Sequence, residues 1–102
     1  MENNNNNIIL KNYKYSIIDF WAEWCSPCLY IKKYINEVII KYNNIIKFYK
    51  ININENNNLI KKYNIQSIPT LIFFNYDKEI YRHIGLLTKK ELIKKCNKLI
   101  IN

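Results

Sequence analysis

The stretch FWAEWCSPCLYIKKY, residues 20–34, holds two of the three cysteines and both tryptophans of the chain. Residues 15–22 are apolar, aromatic and β-branched, and the run stops at a cluster of Cys, Ser and Pro, so they predict a buried strand. Pro27 suits the first turn of a helix, where its missing N–H costs nothing. A helix is therefore predicted over about residues 26–42. The stretch joins a strand, a cysteine pair and the start of a helix.

The residues that follow Pro27 carry an apolar stripe at helical spacing. Its members are Leu29, Ile31, Ile35, Val38 and Ile39. β-Branched runs and turn residues in the rest of the chain predict further strands at 45–53, 70–74 and 80–84, and helices near 58–63 and over 88–100. Strands joined by helical crossovers run parallel, whereas the last two strands form an antiparallel hairpin. The fold class is therefore α/β, a mixed sheet with helices on both faces.

The last predicted helix begins with a capping signal and carries the third cysteine. Thr88 is the expected N-cap, with Glu91 at the capping-box position. Cys96 falls on the apolar stripe of this helix, so core packing is its favoured role. His83 belongs to an alternating strand and is expected to be a partly exposed strand histidine.

Length and composition set the domain organisation. At 102 residues the chain predicts one domain, residues 1–102, with a single core. The asparagine run near the start has no apolar surface to bury, so residues 1–7 are expected to form a disordered tail.

The net charge of +8 could indicate nucleic-acid binding. However, the lysines come as scattered pairs instead of one stripe, and Asn, Ile, Lys and Tyr make up more than half of the chain, which indicates a coding bias. Solvated helix faces are favoured, and no nucleic-acid partner is expected.

The expected compartment follows from what the sequence lacks. No run approaches the roughly 18 apolar residues of a membrane-spanning helix, and residues 1–12 are too polar for a secretory signal. Three cysteines do not make a disulfide scaffold, which favours a reducing setting. The sequence therefore predicts a soluble, cytoplasmic protein. An organelle is the alternative if a targeting segment has been removed.

Cys25 and Cys28 lie about one helical turn apart, a spacing at which their sulfurs can form and break a disulfide with little backbone movement. The helix N-terminus favours the thiolate of an exposed Cys25, whereas Cys28, one turn inside, is shielded. Cys25 would attack a client disulfide, and Cys28 would resolve the mixed disulfide. Asp19 is a charged residue in an apolar strand, so its carboxyl should have a raised pKa and could exchange a proton with Cys28.

Two other uses of the cysteine pair are weighed against this chemistry. Half of a zinc site needs two more ligands, and His83 and Cys96 each stand alone, so no metal is expected. Two inert buried thiols are the structural alternative. The strand, Trp24, Pro27 and the helix around the pair disfavour it.

Four blocks of sequence together resemble the thioredoxin family. They are DFWAEWCSPC at 19–28, KININ at 50–54, SIPT at 67–70, and a lone Gly85 before the last helix. The resemblance implies a thioredoxin fold with a central mixed sheet of four to five strands. Only 18 residues precede Asp19, so the amino-terminal edge strand of that fold is expected to be shortened or missing.

The resemblance also implies a role for each matching residue. Cys25 is the nucleophile, Cys28 the resolving thiol and Asp19 the buried acid and base. Lys50 matches a lysine that neighbours this carboxylate, and Pro27 supports the pair.

A client groove is implied as well. Pro69 matches a cis-proline beside the dithiol, which leaves the backbone of Ile68 free to pair with an extended client peptide. Gly85 is the only glycine, which suggests a place where a side chain is not tolerated. Trp24, Ile68, Pro69 and Gly85 would line the groove.

The implied activity is reduction of protein disulfides in cell redox homeostasis and electron transport. The implied protein is a monomer with no bound cofactor, which reduces disulfide-containing clients and is recharged by an NADPH-dependent thioredoxin reductase. Two departures from the family pattern are Ser26, where glycine is usual, and Asp77, where a turn glycine is usual. Since Ser26 can tune the redox balance, a disulfide oxidase or isomerase of an oxidising compartment is one alternative. A thioredoxin-fold interaction module in a larger assembly is another.

Overall fold

The computed structural model describes residues 8–101, and the predicted disordered tail at 1–7 lies outside them. All of the predicted strands and helices are present, with ends that differ by a few residues. The strands are β1 (Tyr15–Trp21), β2 (Ile46–Asn52), β3 (Thr70–Asn75) and β4 (Lys78–Ile84). The helices are α1 (Ser26–Val38), α2 (Asn57–Lys62) and α3 (Lys89–Leu99), and short 3-10 turns lie at Leu10–Asn12 and Ile53–Glu55.

The strands form one mixed sheet in the order β2-β1-β3-β4. β1 and β2 are parallel, whereas β1 with β3 and β3 with β4 are antiparallel. Within residues 8–101 only the turn Leu10–Asn12 precedes β1, so the edge strand expected to be shortened or missing is not found there. The sheet has four strands, and β1 is a central strand.

Helices cover both faces of this sheet, as predicted. On one face, α1 and α3 pack on the side chains of Ile17, Phe48 and Phe73. On the other, residues from α2 and from the chain before β1 pack around Ile18 and Phe20. All seven residues of β1 are buried, because both faces of this strand are covered. The strand that leads into the cysteine pair is therefore enclosed on both faces.

The buried face of α1 differs from the prediction at one position. Cys28, Ile31, Ile35 and Val38 are buried, at spacings of three and four residues. Leu29 is 48% exposed, so its assignment to the buried stripe is wrong. The physical reason is that Cys28 is the buried residue in this turn of α1, so the side chain of Leu29 faces solvent. α1 also ends at Val38, before the predicted end near residue 42.

α3 begins as predicted, with a complete capping box. The Glu91 N–H donates to Thr88 Oγ1 at 3.1 Å, and the Thr88 N–H donates to Glu91 Oε1 at 2.9 Å. Cys96 belongs to α3 and is fully buried in the core, which confirms its predicted packing role. His83 is partly exposed, as expected, and its Nε2 lies 3.2 Å from the Leu86 carbonyl oxygen.

The hairpin between β3 and β4 turns at Tyr76 and Asp77. The residue of this turn with positive φ is Tyr76, at 53°. Asp77, which stands where the family usually has a turn glycine, does not itself adopt a positive φ. The Tyr76 N–H donates to the Lys14 carbonyl at 2.7 Å, which fixes the turn against the start of β1.

Candidate active site

The cysteine pair lies where β1 passes into α1. Cys25 and Cys28 form a disulfide with their Cα atoms 5.3 Å apart. Cys25 is the N-cap of α1, and the Cys28 N–H donates to Cys25 Sγ at 3.2 Å. A backbone donor of the first helical turn is therefore aimed at the sulfur that is expected to act as nucleophile.

Cys28 is shielded as expected, whereas Cys25 is more enclosed than expected. Cys25 is 6% exposed and Cys28 is 1% exposed, so the expectation of an exposed Cys25 is wrong in this disulfide form. The reason is packing: the pair forms a small cluster with Trp21 and Ala22, and Ile68 packs on its edge. The order of accessibility still places Cys25 nearer to solvent than Cys28.

Asp19 lies two residues before Trp21, on the same face of β1, which is the face covered by α1. Its side chain is fully buried, and neither carboxyl oxygen has a hydrogen-bond partner among residues 8–101. Burial raises the pKa of Asp19 from 3.8 to about 7, and the charge of Lys50 lowers it in part. The carboxyl can therefore hold or release a proton near neutral pH.

Lys50 is the residue of β2 directly opposite Asp19. Its Nζ lies 3.8 Å from the ring centroid of Trp21, a cation–π contact that brings the charge to the edge of the cysteine cluster. Burial lowers the pKa of Lys50, and the charge of Lys32 lowers it further. Asp19 acts in the opposite direction.

The predicted groove residues lie around the same cluster. The Ile68–Pro69 peptide bond is cis, as the resemblance implied. The Gly85 N–H donates to the Pro69 carbonyl at 2.8 Å, which ties the segment after β4 to the cis-proline. Trp24 is 68% exposed. Ser26 and Pro27, the residues between the two cysteines, are also exposed.

Gly85 is required for a different reason from the one expected. A Cβ atom added to Gly85 would have no neighbouring atom within 4 Å, so a side chain has space. The backbone φ is 96°, a conformation that L-residues other than glycine adopt with strain. Position 85 therefore favours glycine because of its backbone φ and not because a side chain would lack space.

Three residues near the dithiol were not predicted from the sequence. Trp21 packs on the cysteines, and the period of two residues from Asp19 places it on the same strand face. Ile53 packs on the edge of the cluster from the turn that follows β2. The charge of Lys32 lowers the pKa of Lys50, and Lys32 lies one helical turn beyond Cys28 on α1.

Two further structural findings bear on other kinds of function. Within residues 8–101 no group of three or more His, Cys, Asp or Glu side chains is placed to hold a metal ion. None of the helices in this described part of the chain is long and apolar enough to cross a membrane.

A reversible disulfide at the N-terminus of a helix, on a mixed sheet and beside a cis-proline, defines a dithiol–disulfide oxidoreductase. The family model Thioredoxin matches residues 1–98 of the chain. The chain therefore belongs to the thioredoxin family.

Curated relatives agree with this assignment. The chain is 37% identical over 84 residues to a thioredoxin of Buchnera aphidicola subsp. Acyrthosiphon pisum, which covers 82% of the chain and 78% of the relative. It is 35% identical over 92 residues to a thioredoxin of Pyropia yezoensis, covering 90% and 86%. It is 42% identical over 84 residues to the chloroplastic thioredoxin M-type of Pisum sativum, covering 82% of the chain and 49% of that relative.

Proposed function

We propose that the chain works in the reducing direction, as a cytoplasmic protein-disulfide reductase. The Cys25 thiolate attacks a client disulfide, forms a mixed disulfide and releases one client thiol. The Cys28 thiolate then attacks Cys25, which frees the second client thiol and leaves the Cys25–Cys28 disulfide. Two electrons pass from the chain to the client in each cycle. The observation that carries the exchange chemistry is the Cys28 N–H donated to Cys25 Sγ, since the same donor would stabilise the attacking thiolate there. The reducing direction is supported by the similarity to proteins named thioredoxin.

Asp19 is proposed to exchange the proton of Cys28. Cys28 must lose a proton before it attacks the mixed disulfide, and it is almost fully buried, so a local base is needed. What supports Asp19 is a pKa of about 7 and a position on the sheet face beneath α1. Lys50 would hold the ionised carboxylate once Asp19 has lost its proton.

The client is proposed to lie across Trp24, Ile68, Pro69 and Gly85. The exposed ring of Trp24 offers an apolar contact. No backbone hydrogen bond to Ile68 is found within residues 8–101, so its N–H and C=O are available to an extended peptide. Hydrogen bonds to this backbone would hold a client without reading its sequence.

The chain itself is proposed to bind no cofactor. Its dithiol would be regenerated by an NADPH-dependent thioredoxin reductase, which makes the chain a carrier in electron transport. Disulfide-containing client proteins would be its other partners, and it would act as a monomer.

Insulin reduction tests this function. The parent chain, supplied with NADPH and thioredoxin reductase, should reduce insulin disulfides and precipitate the free B chain. Cys25→Ser should lose this activity, whereas Cys96→Ala should keep it because Cys96 is buried in the core away from the pair. Cys28→Ser should retain clients as mixed disulfides through Cys25. Full activity in Cys25→Ser would reject the proposal.

A further inference from the structure

The amine of Lys50 has two possible partners on the same face of the sheet. Asp19 lies directly opposite Lys50 on β1, and Trp21 is the next residue of β1 on that face. Neighbouring strands are about 4.8 Å apart, so the four-carbon stem of a lysine can span the gap to a carboxylate on the next strand. At equal distance an opposite charge attracts an ammonium group more strongly than an aromatic ring does. The register alone would therefore predict an ion pair between Lys50 and Asp19.

The structure places this amine on the ring instead. Lys50 Nζ lies 3.8 Å from the centroid of the Trp21 ring, well within the roughly 6 Å of a cation–π contact. No carboxylate oxygen of residues 8–101 lies within 4.0 Å of Lys50 Nζ, and neither oxygen of Asp19 has a hydrogen-bond partner in that range. The ammonium group is thus directed along the strand, toward the cysteine cluster and off the carboxyl.

The ring of Trp21 is held in place by packing. Trp21 is 8% exposed and forms one cluster with Ala22, Cys25 and Cys28. Its indole N–H has no hydrogen-bond partner in the described part of the chain, so Trp21 does not donate a hydrogen bond to the carboxyl of Asp19. Two ways remain for Trp21 to act on this carboxyl, which are the exclusion of water and the hold on the neighbouring amine.

The position of this one amine matters because few charges act on Asp19. The neighbours of Asp19 across the sheet are Lys50 on β2 and the apolar Leu71 on β3. From α1, Cys28 is held in the disulfide, and the charge of Lys32 acts on Lys50. Within residues 8–101, Lys50 is the charge that shifts the pKa of Asp19, and burial opposes it. A closer approach of Lys50 would therefore weaken the carboxylate as a base.

We infer that Trp21 is a positioning residue, whose ring holds the Lys50 ammonium group off the Asp19 carboxyl. The carboxyl then remains a base strong enough to take the proton of Cys28. This inference rests on the proposed function, in which Asp19 exchanges that proton. In the mixed disulfide, the thiol of Cys28 gives its proton to Asp19 and its sulfur attacks Cys25 Sγ. The bond between Cys25 and the client sulfur breaks, and the client leaves as a thiolate with the electron pair.

Carbon-13 NMR titration of the Asp19 carboxyl in the disulfide form tests the positioning. Trp21→Leu removes the aromatic face, so Lys50 should close on the carboxyl and the pKa of Asp19 should fall from about 7 to about 6 or below. Trp24→Leu makes the same chemical change at the exposed tryptophan and should keep the parent pKa. An unchanged pKa in Trp21→Leu would overturn the inference.

A second background separates the amine from water as the cause. In Lys50→Met no amine remains to move, so adding Trp21→Leu should change the pKa of Asp19 far less than it does in the parent. Water that enters beside the smaller side chain would lower the pKa in both backgrounds. A fall of equal size in both would therefore overturn the inference.

Fluorinated tryptophan covers the case in which Trp21→Leu does not fold. The chain has two tryptophans, so in a Trp24→Phe background the analogue enters at Trp21 alone. Fluorine withdraws charge from the ring face and weakens its attraction for a cation, while the ring keeps nearly the same shape. The pKa of Asp19 should fall stepwise from tryptophan through its mono-, di- and trifluoro analogues. A constant pKa along the series would contradict the proposed hold on Lys50.

Single-turnover release of a client thiol from Cys25 measures the exchange itself. In Trp21→Leu the pH of half-maximal rate should move down by about one unit, together with the pKa of Asp19. If neither value moves, the positioning role is rejected and the reductase function stands. If the pKa falls but the rate profile does not move, Asp19 is not the proton partner, and its proposed role fails together with that of Trp21.

Discussion

Asp19 lies directly opposite Lys50 in the parallel register of β1 and β2, and both side chains are buried. The two charges attract each other but do not form a close ion pair, because no carboxylate oxygen lies within 4.0 Å of Lys50 in residues 8–101. Lys50 therefore offsets only part of the effect of burial on the Asp19 carboxyl, and the pKa of Asp19 remains raised, at about 7.

Asp19→Asn should remove a pH dependence of stability. The pKa of Asp19 is about 7 in the folded chain and near 3.8 when unfolded, so the folded state binds more protons between these values. The free energy of unfolding should fall as pH rises from about 4 to about 7, by on the order of 4 kcal/mol, since each unit of pKa is worth about 1.4 kcal/mol. Urea unfolding of the disulfide form at pH 4 and pH 8 measures this, and Asp19→Asn should lack the decrease.

The Asn side chain also changes the free energy of unfolding by an amount that does not depend on pH. This amount cancels, because only the difference between the free energies of unfolding at the two pH values is used. An equal decrease in the parent and in Asp19→Asn would show that another group is responsible.

Lys50→Met should raise the pKa of Asp19 above about 7. The charge of Lys50 lowers the pKa of this carboxyl, so its removal leaves burial unopposed. Carbon-13 NMR titration of the Asp19 carboxyl in the disulfide form reads the pKa directly. Lys33→Met, on the exposed face of α1, should leave the titration unchanged, and an unchanged or lowered pKa in Lys50→Met would refute the expected coupling.

Gly85→Ala should destabilise the chain by about 1 to 2 kcal/mol, the cost of placing an L-residue at positive φ. The added methyl group meets no atom within 4 Å, so the whole effect is attributed to the backbone φ of 96°. Gly85→Asn should cost less, because Asn tolerates positive φ better. Urea unfolding of both variants checks this, and a larger loss for Asn than for Ala would contradict the backbone explanation.

Thr88→Ala should lower the free energy of unfolding by about 1 kcal/mol through loss of the N-cap of α3. Because Thr88 and Glu91 hydrogen-bond to each other's backbone, a double-mutant cycle with Glu91→Ala should be non-additive. Thr88→Ser is the control and should keep most of the stability. Strict additivity of the two alanine substitutions would mean that the capping box does not act as a unit.

The parts of the molecule that were predictable are encoded locally. Residues 19–28 carry the strand, the cysteine pair and the helix start in one continuous pattern, and the capping box needs only Thr88 and Glu91. The enclosure of Cys25 was not predictable, because it depends on Ile68, which arrives from a distant part of the chain. The contact of Lys50 with the Trp21 ring has the same origin, since β1 and β2 meet only in the folded chain.

Predictions also failed where one sequence feature has two possible physical causes. A single glycine indicates either close approach or positive φ, and only the backbone conformation shows that Gly85 has the second. An apolar residue next to a helical stripe can face either the core or the solvent. Cys28 takes the buried position in that turn of α1, so Leu29 lies outside the core.

The reduction potential of the Cys25–Cys28 pair tests the proposed direction of electron flow most directly. Equilibration with glutathione buffers of known composition, followed by trapping and counting of free thiols, gives this value. A cytoplasmic reductase should have a potential of about −220 mV or more negative, within or below the cytosolic glutathione range measured by extraction. A potential of about −200 mV or higher, in the range of an oxidising secretory compartment, would contradict the proposal that this chain reduces its clients.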